Sequence, residues 1–137
     1  MTSPSQPSTK QPIDIPDFMR EPQPAAQRRI MSNVTVVTDE TFAAEVLAAT
    51  GPVLVDYWAD WCQPCRQLTP VIDELADKYA GQVKFVSVDT NANTAVAAAQ
   101  DIRTLPTIQI FQNGEVVEAI VGAVTKMKLR QALESVA

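Results

Sequence analysis

From residue 34 onward the hydrophobic positions change their period along the chain, and each change marks an element. Val34-Thr35-Val36-Val37 is short and β-branched, which predicts a first strand. Thr38 is placed to cap the helix that follows, and Asp39 and Glu40 suit its positive end. Phe42, Val46 and Leu47 then supply that helix's buried face. Gly51-Pro52 breaks the helix ahead of the apolar run Val53–Trp58, a buried strand. Leu68, Val71, Ile72, Leu75, Ala76 and Tyr79 recur at the spacing of one helix face. A bend is expected at Pro70, which has no N–H to donate. Gly81 ends this helix, Val83–Val88 reads as a third strand, and the alanine-rich stretch Thr94–Gln100 as a short helix. Thr107–Gln112 and Glu115–Val121 are strands joined by Asn113-Gly114, a strong hairpin signal. Gly122 ends the hairpin, and Thr125 caps a last helix whose apolar face is Leu129, Ala132, Leu133 and Val136. The order βαβαβαββα predicts an α/β domain, a central mixed β-sheet flanked by helices on both faces.

Residues 1–30 have no such periodicity. Six of the ten prolines fall there, among clusters of Ser, Thr and Gln. A segment of that kind buries too little apolar surface to offset its ordering entropy, so a disordered extension is expected, with one domain over residues 31–137. It has no apolar core of a secretory signal, the twin arginines Arg28-Arg29 are followed by no signal core, and Asp14, Asp17 and Glu21 are out of place in a mitochondrial transit peptide. Ile13–Met19 is a candidate docking motif, although composition favours an inert tail. Met31, at the domain edge, is an alternative translation start.

Charge narrows the partners. The chain carries −5 in total; four cations against three carboxylates give residues 1–30 a net of +1, leaving −6 on the remainder. An acidic domain is not suited to nucleic acid, and no apolar run approaches membrane-spanning length.

The only two cysteines, Cys62 and Cys65, stand three residues apart where the strand Val53–Trp58 gives way to the helical pattern. Unpaired N–H groups and the helix dipole favour an anion there, so the Cys62 thiolate is stabilised over the thiol. Cys65 lies one turn further in, on the same side. Three uses of the pair compete. As a structural staple it closes too short a ring to constrain much chain entropy. A zinc site needs four ligands, and a chain with two cysteines and no histidine would have to recruit carboxylates or a second subunit. A redox pair fits the CxxC spacing and its junction position best.

The segment Val-Asp-Tyr-Trp-Ala-Asp-Trp-Cys-Gln-Pro-Cys, residues 55–65, resembles the active-site segment of the thioredoxins, usually Val-Asp-Phe-Trp-Ala-x-Trp-Cys-Gly-Pro-Cys. Arg103-Thr104-Leu105-Pro106-Thr107 is similar to their Arg-Gly-Ile-Pro-Thr, and Val121-Gly122-Ala123 to their Val-Gly-Ala. The resemblance covers about residue 33 to the end and implies the thioredoxin fold and strand order, with a cis bond before Pro106. It implies Cys62 as nucleophile and Cys65 as resolving thiol. Asp56 corresponds to the family's buried aspartate, whose pKa burial should raise so that it accepts the Cys65 proton. Pro64 stiffens the first turn. Trp61, Leu105, Pro106 and Gly122 form the substrate-binding rim, where Leu105 pairs with an extended substrate and Gly122 permits close backbone approach. Two positions depart from the pattern. Gln63 replaces the usual Gly between the cysteines and can shift the dithiol–disulfide balance, and Ser87 stands where many thioredoxins have a lysine near the aspartate.

The activity that the resemblance implies is that of a protein-disulfide reductase without bound cofactor or metal, regenerated by a thioredoxin reductase. It is expected as a cytoplasmic monomer acting on disulfide-containing proteins, with no nucleic-acid or membrane partner. Its rivals are an exported oxidase or isomerase, a non-catalytic subunit using the same surface, and a dimer sharing a metal or iron–sulfur site through two CxxC pairs. Deleting residues 1–30 is expected to leave the melting temperature and the reductase activity unchanged within error. A clear loss of either would show that the tail packs on the domain.

Overall fold

The alternation of apolar side chains along the central strand decides the layering. In a computed structural model, which describes residues 33–137, β2 (Val53–Trp58) is buried from Val53 to Tyr57. Val53, Val55 and Tyr57 enter one core and Leu54 the other, as the two-residue period of a strand requires. A strand with a core on each side can only lie inside a sheet with helices on both faces.

The remaining elements fill those layers. They are β1 (Val34–Val36), α1 (Ala43–Leu47), α2 (Gln63–Lys78), β3 (Lys84–Asp89), α3 (Thr94–Ala99), β4 (Thr107–Gln112), β5 (Glu115–Val121) and α4 (Lys126–Val136). The sheet order is β1-β3-β2-β4-β5, with β1, β3 and β2 parallel and β4 and β5 antiparallel. One core joins Leu54, Phe85, Ile108 and Ile110 of the sheet to α2 and α4. The other joins Val55, Tyr57, Val86, Val88 and Phe111 to Phe42 at the head of α1, Val46 within it and Val96 of α3. Phe42 meets Phe111 edge-on at 5.9 Å. Inside this second core the Tyr57 hydroxyl donates to Gln109 Oε1 at 2.7 Å, which satisfies two buried polar groups at once. The fold is the mixed α/β sandwich that the sequence predicts, with β2, β4 and β5 at their expected bounds.

Local details depart from expectation where side chains bond outside their own element. The first helix starts with an α-turn, Phe42 N to Thr38 O at 2.9 Å, then widens to a π-turn, Ala48 N to Ala43 O at 2.9 Å. Thr38 opens it with its main-chain N–H on Thr41 Oγ1 (2.9 Å), not with its own hydroxyl on a helix N–H. Leu47, expected on the buried face, is 39 % exposed. Asp39 does not serve this helix either: its carboxylate accepts from Val96 N at 2.8 Å and Ala95 N at 3.4 Å, capping α3 instead. α2 continues through Pro70, while the Thr69 hydroxyl donates to the Cys65 carbonyl at 3.2 Å. At the hairpin tip Asn113 (φ 56) and Gly114 (φ 82) take the left-handed conformations such a two-residue turn requires. A Cβ on Gly114 would lie 2.9 Å from the Leu47 carbonyl oxygen, so the tip is seated on the end of α1.

α3 is six residues long, far below the length that sustains an isolated helix, so its cap matters. Asp39→Ala is expected to lower unfolding free energy by about 1–2 kcal/mol in denaturant titration, whereas exposed Glu40→Ala leaves it within about 0.5 kcal/mol. Equal effects of the two would show that the cross-element cap contributes nothing.

Candidate active site

The end of β2 and the start of α2 are joined by Ala59–Cys62, and this junction is held by main-chain bonds. Ala59 is fully buried, and Cys62 N donates to Ala59 O at 3.0 Å, which turns the chain back into the helix. Cys62 is the N-cap, with extended backbone (φ −91, ψ 103), and its Sγ accepts from Cys65 N at 3.3 Å. Sulfur therefore takes the place a Ser or Thr oxygen occupies in an ordinary cap. Gln63 and Pro64 follow as the first helical residues, where the N–H that Pro64 lacks has no intrahelical partner to lose. Cys62 and Cys65 are joined as a disulfide, with Cα atoms 5.3 Å apart. Order along the helix suggests an exposed first cysteine and a recessed second one; in this oxidised state both residues are 3 % exposed.

The second motif packs on this junction through Leu105, and the third bonds to the second. Ala59, Cys62 and Cys65 form a small apolar cluster against which Trp58 and Leu105 pack. The Leu105–Pro106 peptide is cis, as the resemblance implies. Thr107 donates its hydroxyl to Thr104 O, closing the turn beneath that peptide. Pro106 O accepts from Gly122 N at 2.9 Å, bringing the third motif onto the second. A Cβ on Gly122 would meet nothing within 4 Å, so close approach is not why glycine stands there; its φ of +85 is. Trp61 is 68 % exposed beside the disulfide.

Asp56 lies on the α2 face of β2, between Ser87 of β3 and Ile108 of β4 in the sheet register. It is 6 % exposed, and its Oδ1 is buried without a hydrogen-bond partner. Burial raises its pKa to about 7, and no neighbouring cation offsets that cause.

Two residues at the site escape sequence reasoning. Asn91, in the loop after β3, accepts from the Trp61 indole N–H at 3.3 Å. Arg66 donates its guanidinium to Asp60 O at 2.6 Å. Neither forms part of a spacing motif. The only prior signal was the presence of a donor and an acceptor near a junction that needs bracing. Among the described residues no group of three or more His, Cys, Asp or Glu side chains is assembled that could hold a metal, and no helix is long and apolar enough to cross a membrane.

Comparison with known proteins agrees with this geometry. A family model for thioredoxin matches residues 33–135. The chain is 51 % identical to thioredoxin 1 of Nostoc sp. over 104 residues, 76 % of this chain and 97 % of that protein. It is 50 % identical to thioredoxin 1 of Synechococcus elongatus over 104 residues, with the same shares of 76 % and 97 %. Against the thioredoxin of Pyropia yezoensis the identity is 46 % over 101 residues, 74 % of this chain and 94 % of that one. With its joined cysteines at the head of α2, this chain belongs to the thioredoxin family and is a thiol–disulfide oxidoreductase, a protein-disulfide reductase.

Proposed function

We propose that Cys62 is the nucleophile, Cys65 the resolving thiol and Asp56 the base that takes the Cys65 proton. In the reduced protein the Cys62 thiolate attacks one sulfur of a substrate disulfide, expelling the other as a thiolate and forming a mixed disulfide. Cys65 passes its proton to Asp56 and attacks Cys62 Sγ, which expels the second substrate sulfur as a thiolate and leaves the Cys62–Cys65 disulfide; the released thiolates take up protons from water. The substrate gains two electrons and the protein loses two. The bond from Cys65 N to Cys62 Sγ supports the first role, because an N–H donor at a helix N-terminus stabilises a thiolate there.

The observation that carries the reading is the buried, unpartnered carboxyl of Asp56 on the face of β2 that α2 covers. A pKa of about 7 lies within two units of an ordinary thiol, close enough for efficient proton transfer between them. Trp61, Pro106 and Gly122 form the docking rim, and Leu105 offers its main chain to an extended substrate segment as an added strand does. The cycle closes when a thioredoxin reductase returns two electrons to the disulfide. The protein works as a cytoplasmic monomer, a reading that rests on the likeness to thioredoxins over residues 33–135. Gln63 and Ser87 tune the potential and the proton transfer without changing the sequence of steps.

Two experiments test these roles. Cys62→Ser is expected to abolish disulfide reduction, while Cys65→Ser attacks but stalls as a mixed disulfide visible by mass spectrometry on Cys62. Stable adducts on Cys65 would reverse the assignment.

The second uses pH. The folded Asp56 pKa is about 7 against 3.8 for the free side chain, so between those values the folded state binds more protons than the unfolded one. Stability from this group is therefore full below pH 3.8, falls as pH rises, and levels off above about pH 7. The total loss is on the order of 4 kcal/mol. Asp56→Asn should be more stable than the parent at pH 8, should lose that advantage near pH 4, and should resolve mixed disulfides about tenfold more slowly or worse. Denaturant melts across pH, with stopped-flow reduction of a peptide disulfide, read both effects. A variant less stable at pH 8, or equally fast in resolution, would remove Asp56 as the base.

A further inference from the structure

Trp61 is the largest exposed apolar side chain beside the disulfide, and it is tethered on both sides. The indole can only donate, and its N–H reaches Asn91 Oδ1 at 3.3 Å. The loop that presents Asn91 is itself fixed. Asn91 N donates to Asp89 Oδ1 at 2.9 Å, and Thr90 donates both its N–H (2.9 Å) and its hydroxyl (3.1 Å) to Trp58 O at the end of β2. Further on, Asn93 N donates to Asp89 O at 2.9 Å, and Asn93 Oδ1 accepts from Asp39 N at 2.9 Å, the residue that caps α3. Asn91 thus stands on a loop tied both to β2 and to α3.

The second tether comes from α2. Arg66 forms no ion pair among the described residues; its guanidinium donates to the Asp60 main-chain carbonyl at 2.6 Å, while its own N–H donates to Cys62 O at 3.3 Å. Those two bonds grip the chain immediately before and after Trp61.

We propose that Asn91 and Arg66 are positioning residues that hold the Trp61 indole as a preformed wall for the apolar residues flanking a substrate disulfide. The inference rests on the reading of Trp61 as a docking residue. Solvent competes for both bonds, so each adds little to folding stability. Their effect falls on binding, because an indole already ordered in the free protein does not lose its rotational freedom when a substrate arrives. Immobilising a side chain of this kind weakens association by roughly two- to tenfold.

The test uses the full chain with a protein disulfide as substrate and reductase recycling, and five variants: Trp61→Ala, Asn91→Ala, Asn91→Asp, Arg66→Met and Arg66→Lys. Asn91→Ala and Arg66→Met are expected to raise KM about two- to tenfold with kcat changed less than about twofold. Asn91→Asp retains an acceptor and Arg66→Lys a donor, so each should recover most of the loss. In nitrogen-15 spectra the Trp61 Nε1–H, assigned by its disappearance in Trp61→Ala, should exchange faster with water in Asn91→Ala than in Asn91→Asp. If Trp61→Ala raises KM while Asn91→Ala and Arg66→Met do not, the clamp is wrong and the docking role stands. If Trp61→Ala itself leaves KM unchanged, the docking role fails and the clamp with it. A fall in kcat that tracks a fall in melting temperature, with KM constant, would assign both residues a structural role only and also overturn the proposal.

Discussion

Burial of β2 on both faces is the constraint from which the site follows. A strand with Val53, Val55 and Tyr57 in one core and Leu54 in the other cannot slip by one residue without exchanging the two sets. That register fixes where the strand stops, and the chain leaves it at Trp58 with no freedom except to turn through Ala59 into α2. The same register buries Asp56 between Ser87 and Ile108. Packing thus sets both the position of the cysteines at the head of α2 and the acidity of the Asp56 carboxyl. The cost is a buried oxygen without a partner, tolerated because the neutral acid is the favoured form there below about pH 7.

The helix N-terminus does the complementary work. Burial destabilises charge at Asp56, whereas at Cys62 an N–H donor favours it, and the two effects act within one turn and one strand of each other. Opposite environments thus act on two groups of one strand–helix unit, an N–H donor that favours charge at the Cys62 sulfur and burial that favours the neutral acid at Asp56.

Much of this was legible beforehand because it depends on period and on local chemistry. The bounds of β2, β4 and β5 follow from apolar runs and an Asn-Gly turn, and the head of α2 follows from Cys-Gln-Pro-Cys at a strand end. What escaped depends on side chains reaching across the fold. Asp39 looks like a helix-start residue and is one, but for α3, whose first turn lies over fifty positions away in the chain. Asn91 meets Trp61 thirty positions away, and no local pattern announces it. Leu47 continues the apolar spacing of α1, yet the helix widens to a π-turn and leaves it partly exposed. For Gly122 the residue type was informative and the reason was not: backbone conformation, and not proximity, requires it.

The seating of Gly114 on the Leu47 carbonyl gives the hairpin tip a meaning that its surface position conceals. A two-residue turn at the far end of an edge hairpin is where a peptide tag, a fluorophore or a new chain terminus is commonly introduced. Here the turn is a joint between the hairpin and α1, and even one added carbon at 114 would press into main-chain oxygen. Engineering of this scaffold is better directed to positions such as Gly51, where a Cβ would meet nothing within 4 Å and φ is not in the left-handed range.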